Sequence, residues 1–200
     1  PRIWVKRDDL TEGAASGNKL RKLEFSVGQA LQENATVLIT AGGIQSNHCR
    51  ATAIVAAKLG LKSHLILRGK PPADRDGNLL LDDLVGAKIT FATAAQFENL
   101  DSFFEDIADE YRTKGDVPFS IPIGASDEIG LWGYIECARE LKLDFEFHDI
   151  APEFIISAAG SGGTQGGMIL GNHKYGLGAN VSAFSVSNDE TFFKQKIGLD

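Results

Sequence analysis

The sequence predicts an α/β protein built on parallel sheet, and three observations carry that expectation. Continuous apolar runs of strand length, such as Thr36-Val37-Leu38-Ile39-Thr40, are too short for helices and are apolar on both faces, as in a buried parallel strand. Between such runs lie longer stretches with helical periodicity, and that alternation favours parallel sheets covered by helices on both sides. Glycine gathers where ligands of such folds sit, at the C-terminal ends of strands, as in Ala41–Asn47 and Ala159–Gly167.

Taken in order, Ile3-Trp4-Val5-Lys6 is β-branched and aromatic and reads as a first strand closed by the charged Arg7-Asp8-Asp9. Leu20, Leu23, Val27 and Leu31 then recur near the helical period, which predicts a helix from Lys19 to about Glu33. After the Thr36–Thr40 strand, which breaks at Ala41-Gly42-Gly43, Ser46 is placed to cap an alanine-rich helix over Asn47–Leu59, closed by Gly60. Further strands are expected at His64–Leu67, Lys88–Phe91, Phe119–Ile123 and Phe154–Ser157, with helices at Leu79–Val85, Asn99–Lys114, Asp127–Leu141 and Thr164–His173. Val181–Ser185 opens one more unit, and Lys70–Gly77 is a polar, proline-bearing surface loop.

Composition narrows the function classes. The 200 residues suffice for one large domain or two small ones with a proper core, and 43% hydrophobic with 24% charged residues is ordinary for a globular protein. A net charge of −7 without a basic stripe argues against nucleic acid and against a membrane surface, while leaving small anionic ligands open. Cys49 and Cys137 are too few for a disulfide scaffold and form no CxxC, so a reducing cytoplasm fits best. The first residue is Pro1, and a new apolar pattern (Phe192, Phe193, Ile197) has just begun when the sequence ends at Asp200, which reads as a fragment.

The chemistry centres on three loops. In Ser16-Gly17-Asn18-Lys19-Leu20-Arg21-Lys22-Leu23-Glu24 a lysine stands at the start of a helix, where the dipole and the neighbouring Arg21 and Lys22 all favour its neutral amine. A neutral amine can form a Schiff base with an aldehyde such as that of pyridoxal phosphate (PLP); the bland alternative is a solvated basic turn. Gly42-Gly43-Ile44-Gln45-Ser46-Asn47-His48 offers main-chain amides, an amide side chain and a hydroxyl at another helix start, suited to a carboxylate and a ring oxygen, unless Ser46 serves only as a cap. His48 is open to a structural role, and with Cys49 it lacks the second ligand pair that a metal site needs. Ala159-Gly160-Ser161-Gly162-Gly163-Thr164 combines glycine amides, a hydroxyl and a helix N-terminus into a phosphate cradle. No Gly-Lys-Ser/Thr follows it and Gln165 breaks the dinucleotide pattern, so the phosphate of something other than ATP or NAD is preferred, with a purely structural turn as the alternative. Cys137 reads as core, and Asp82-Asp83 and Glu105-Asp106 read as solvated helix faces.

These three motifs, in this order and spacing, closely resemble the D-cysteine desulfhydrase/1-aminocyclopropane-1-carboxylate (ACC) deaminase family of PLP enzymes across essentially the whole chain. The resemblance implies an α/β fold of two doubly wound parallel-sheet domains, fold type II (tryptophan synthase β-like), with the C-terminal part absent. Residues 1–21 and 131–200 would belong to a large PLP-binding domain and 22–130 to a smaller α/β domain inserted in it. Lys19 would hold PLP and, once released by substrate, act as the base at the substrate carbon. Asn47 would bond the phenolic oxygen of PLP, and Ser46 would face substrate as a carboxylate contact or proton-transfer partner, with Gln45 and His48 nearby. Ser161, Gly162, Gly163 and Thr164 would bind the phosphate, with Lys22 approaching the phosphate or keeping the Lys19 amine neutral. The implied reaction is β-elimination from D-cysteine to pyruvate, hydrogen sulfide and ammonia, by a cytoplasmic homodimer. ACC ring opening to 2-oxobutanoate and ammonia, racemisation, or a non-catalytic module that binds a phosphorylated ligand are the rivals. Ser16 departs from the glycine of many members, and His48 leans toward the desulfhydrase side.

Overall fold

The apolar run that starts at Thr36 becomes β1 (Val37–Gly43), and the first sheet is laid down around it. The computed structural model describes residues 2–187 and 189–199. After β1 come α2 (Asn47–Lys58), β2 (Lys62–Arg68), α3 (Gly77–Leu84), β3 (Lys88–Ala92), α4 (Ala94–Glu98), α5 (Leu100–Arg112) and β4 (Pro118–Ile121), preceded by α1 (Asn18–Gln32). All strand pairs are parallel and the order is β3-β2-β1-β4, so the chain winds outward from β1 one way and returns to its other side with β4. That reversal beside β1 is the switch point where ligand loops of open α/β sheets gather.

Both sheet faces are covered, which is why β1 carries no polar alternation. Val37, Ile39, Ala41, Ile66 and Ala92 pack on Phe104, Ile107, Ala108 and Tyr111 of α5. Leu65 and Leu67 pack on Cys49 and Ala53 of α2 and on Leu79 of α3. Inside this unit Thr40 is a polar exception, fully buried between β4 and α2.

A second unit holds α6 (Trp132–His148), β5 (Phe154–Ala159), α7 (Gly163–Tyr175), β6 (Asn180–Ser185) and α8 (Glu190–Leu199), with β5 and β6 paired in parallel. α6 and α7 lie backbone against backbone: a Cβ on Gly171 would stand 2.4 Å from Ala138 Cβ, and one on Gly167 2.5 Å from Leu131 O. Tyr134, Cys137, Ala138, Leu141 and Met168 form the core between them.

The compact units divide the chain elsewhere than the expected boundaries. Residues up to Leu20 group with Val27–Ile123, and Arg21–Ser26 group with Gly124 onward. The reason is local bonding. Arg50 Nη2 donates to Ser16 O at 2.9 Å and Lys58 pairs with Glu12, holding the early residues to the first unit. Arg21 makes a two-pronged ion pair with Glu140 at 2.9 and 3.0 Å, and Lys22 is buried on Gly124 and Ser126.

Several element expectations need correction. Ile3–Lys6 is not a strand: it has no sheet partner among the described residues, and Ile3, Trp4 and Val5 are exposed. β1 does not stop at Thr40 but runs through Gly42 and Gly43, which stay in register with Leu67 and Arg68. The helix expected over Asn99–Lys114 is present as α5, and what the expectation lacked is the short α4 before it, with its Thr93/Gln96 capping box. α6 starts later than expected, because Asp127 Oδ1 accepts from Gly130 N at 2.8 Å and turns the chain first. Asp82 is not on a solvated face. It is fully buried in α3, and desolvation, with help from Asp83, pushes its carboxyl up to about 7.

Candidate functional site

Lys19 occupies the first turn of α1, directly after Gly17, which adopts φ of 105° as the N-cap. The lysine is half-buried, and burial lowers its pKa. Desolvation is the cause, rather than repulsion from Arg21 and Lys22, whose charges are engaged by Glu140 and by the 124–126 turn. The loop before it is tied by Gly17 N donating to Asp8 O at 2.9 Å and by Arg50 on the Ser16 carbonyl.

In the same unit the β1–α2 loop doubles back tightly on its strand. A Cβ on Gly42 would stand 2.6 Å from Ser46 Oγ. Ser46 Oγ accepts from Cys49 N at 3.2 Å and so caps α2, and its hydroxyl also hydrogen-bonds the Cys49 sulfur. Asn47 is exposed and its Oδ1 accepts from Asn78 Nδ2 at 3.0 Å.

Gln45 and His48 depart from the expected substrate contacts. Both ends of the Gln45 amide are committed: Nε2 donates to Asp76 Oδ1 at 2.9 Å and Oε1 accepts from Asn78 N at 2.8 Å. His48 is buried, its Nε2 2.8 Å from Thr40 Oγ1. Thr40 has one hydroxyl proton and donates it to Ile121 O at 2.8 Å, so His48 Nε2 is the donor to Thr40. The two residues hold the loop in place from below and beside it.

In the second unit the β5–α7 loop is built on main-chain atoms. Gly162, with φ of 90°, turns the chain into α7, and Ser161 Oγ lies 2.6 Å from Ser126 Oγ. Lys22 is fully buried and donates from Nζ to Gly124 O at 3.0 Å and to Ser126 Oγ at 2.9 Å. A Cβ on Gly163 would stand 2.7 Å from Lys22 Nζ, so the ammonium lies against the first turn of α7. An ammonium and a helix N-terminus are both positive, and an anion is what both would stabilise. Thr164 stands in the same first turn, half-buried.

Sequence reasoning missed Ser126, Arg50, Thr40 and Asn78. No spacing could have pointed to them: Asn78 reads as a turn residue after Gly77 and Ser126 as an ordinary helix cap, and their side-chain partners lie 28 to 104 positions away.

A sequence profile of the pyridoxal-phosphate dependent enzymes matches residues 1–196. The chain belongs to that family. Among curated relatives of this PLP-enzyme chain is the Arabidopsis thaliana mitochondrial bifunctional D-cysteine desulfhydrase/1-aminocyclopropane-1-carboxylate deaminase, 44% identical over 96% of the chain and 50% of that protein. Another is the D-cysteine desulfhydrase of Serratia proteamaculans (strain 568), 39% identical over 84% of the chain and 52% of that protein. A crystal structure described as an ACC deaminase homologue superposes with a TM-score of 0.84 at 36% identity, covering 96% of this chain and 59% of that one. The resemblance read from the three motifs therefore holds, as does the α/β parallel-sheet fold of type II PLP enzymes. The chain spans about half the length of the curated relatives it matches.

Each unit, taken by itself, holds donors of the kinds PLP needs. In the second the buried Lys22 ammonium beside Gly163 suits a phosphate, and in the first the lowered amine of Lys19 suits an aldehyde and an exposed amide such as that of Asn47 suits an oxygen that accepts. Among the described residues no group of three or more His, Cys, Asp or Glu side chains could hold a metal ion, and no helix is long and apolar enough to cross a membrane.

Proposed function

We propose that this chain carries the cofactor-anchoring half of the chemistry of a PLP-dependent lyase acting on a small amino acid, with β-elimination from D-cysteine to pyruvate, hydrogen sulfide and ammonia as the first reading. The observation that carries it is Lys19, a lysine at a helix start whose amine burial holds below the usual range. A neutral amine there can attack an aldehyde carbon and, when released, take the α-proton of a bound amino acid. PLP supplies the electron sink that makes that proton removable.

The residue roles follow from the bonding of each side chain. In the first unit Lys19 is the anchor and base, Asn47 donates to the phenolic oxygen, and Ser46 turns its hydroxyl from Cys49 to the substrate carboxylate or passes its proton on. Gln45 and His48 hold that loop. In the second unit the Ser161–Thr164 turn and Lys22 take the phosphate. In the same proposal the unit containing Arg21–Ser26 and Gly124 onward belongs to the PLP-binding domain, and the four-stranded unit is the α/β domain inserted in it. A homodimer in a reducing, cytoplasmic compartment is part of the same proposal, the latter supported by two buried free cysteines, Cys49 and Cys137.

ACC deamination is the second reading, because the Arabidopsis relative is named for both activities. The test uses protein from the complete reading frame loaded with PLP and assays pyruvate and sulfide from D-cysteine, with L-cysteine and ACC alongside. Release from D-cysteine that disappears in Lys19→Ala, together with the visible absorbance of the cofactor, is the expected result. No turnover of any of the three with that absorbance intact overturns the substrate reading. Unchanged PLP affinity and absorbance in Lys19→Ala would mark a phosphorylated-ligand binding module instead.

A further inference from the structure

We propose that Asn78 is a positioning residue that sets which face of the Asn47 amide the cofactor meets; this rests on the reading of Asn47 as the partner of the phenolic oxygen of PLP. An amide side chain has a donor end and an acceptor end of nearly identical shape, and which end faces a ligand is decided by its other neighbours.

For Asn78 the neighbours are unambiguous. Arg50 Nη1, which can only donate, lies 3.3 Å from Asn78 Oδ1. The Gln45 carbonyl, which can only accept, lies 2.9 Å from Asn78 Nδ2. Asn78 is therefore locked with its NH2 toward the β1–α2 loop. The atom of Asn47 that meets this NH2 at 3.0 Å must be an acceptor, which is Oδ1. The NH2 of Asn47 is thus turned away from Asn78, and among the described residues no acceptor takes its hydrogens. Arg50 is itself anchored, through Nη2 on the Ser16 carbonyl at 2.9 Å, three positions before Lys19. One guanidinium thus braces both the Lys19 loop and, through Asn78, the Asn47 amide.

The consequence is selectivity for an oxygen that accepts. A donor aimed at the phenolic oxygen favours its ionised form, and reversing the amide would aim a carbonyl at it and favour the protonated form.

The test is a spectroscopic titration of the PLP-loaded protein from the complete reading frame. Asn78→Asp keeps an acceptor for Arg50 and suits the first turn of α3, but it can only accept from Asn47 and so calls for the reversed amide. The pH at which the visible absorbance of the cofactor titrates should rise by about 1–2 units in Asn78→Asp, the scale of one hydrogen bond to a charged group. Asn78→Ala, which frees the amide, should move it the same way by less, and Asn47→Ala should move it too. In the Asn47→Ala background neither change at Asn78 should add a shift. Thermal midpoints of the same samples report folding separately. A wild-type titration in Asn78→Asp and Asn78→Ala, with Asn47→Ala shifted, overturns the positioning role alone. So does a shift from Asn78→Asp that persists without the Asn47 amide, since it would be a bare charge effect. An unshifted Asn47→Ala overturns the underlying reading of Asn47, and the inference with it.

Discussion

Two buried titratable groups in the first unit act on stability in opposite directions, and removing either one should expose the other. His64 is buried on β2, its Nε2 2.8 Å from Thr90 Oγ1 and its ring edge-on to Tyr111, and desolvation, with Lys88 and Lys114 nearby, pulls it from 6.5 down to about 4. Above pH 6.5 it is neutral both folded and unfolded, so it has no effect. As pH falls through 6.5 toward 4 the unfolded chain takes the proton first, and stability drops by about 3 kcal/mol. Asp82, raised from 3.8 to about 7, has the reverse sign. Below pH 3.8 it is neutral in both states, and as pH rises toward 7 the unfolded chain ionises first. The resulting loss is about 2–3 kcal/mol once solvent screening is allowed for. Urea unfolding from pH 4.5 to 8 checks this, with each variant compared with wild type at the same pH so that surface carboxylates cancel. His64→Gln should gain on wild type as pH falls below 6.5, and Asp82→Asn should gain on it as pH rises toward 7. Parallel pH profiles for wild type and both variants would refute the desolvation argument.

Two further substitutions probe packing and the buried hydroxyl. Gly28 lies inside α1 with open space where a Cβ would go, so Gly28→Ala should stabilise by about 0.5–1 kcal/mol, whereas Gly171→Ala drives a methyl to 2.4 Å from Ala138 Cβ and should cost about 1–3 kcal/mol; thermal midpoints moving in opposite directions are the check. Thr40→Val keeps the shape but removes the bonds to His48 and the Ile121 carbonyl, and should lower unfolding free energy by about 1–3 kcal/mol, measured at pH 7.5.

Much of the fold was legible because strand burial and helix periodicity are local. β1, β2 and α2 follow directly from apolar runs and the Ser46 cap. What failed was set by partners far along the chain. Ile3–Lys6 has strand composition and no neighbouring strand, and Asp82 has a polar side chain on a helix whose inward face it happens to share with Leu79. The site divides the same way. Lys19, Ser46, Asn47 and the Ser161–Thr164 turn announce themselves as glycine-flanked polar residues at helix starts. Arg50, Asn78 and Ser126 work through contacts of 28 to 104 positions' separation, which spacing within a motif does not encode.

The glycines on the inner face of α7 shift where this protein is vulnerable to inherited change. Main-chain amides in the β5–α7 loop survive most replacements of the side chains around them. They do not survive displacement of the helix that aims them, and Gly163, Gly167 and Gly171 each sit where a single methyl would meet another atom at 2.7 Å or less. Mutational tolerance should therefore fall not in a patch around the loop but along a stripe of every fourth residue, reaching two helical turns away from any ligand. A variant of unknown effect at Gly171 deserves the same suspicion as one in the loop itself.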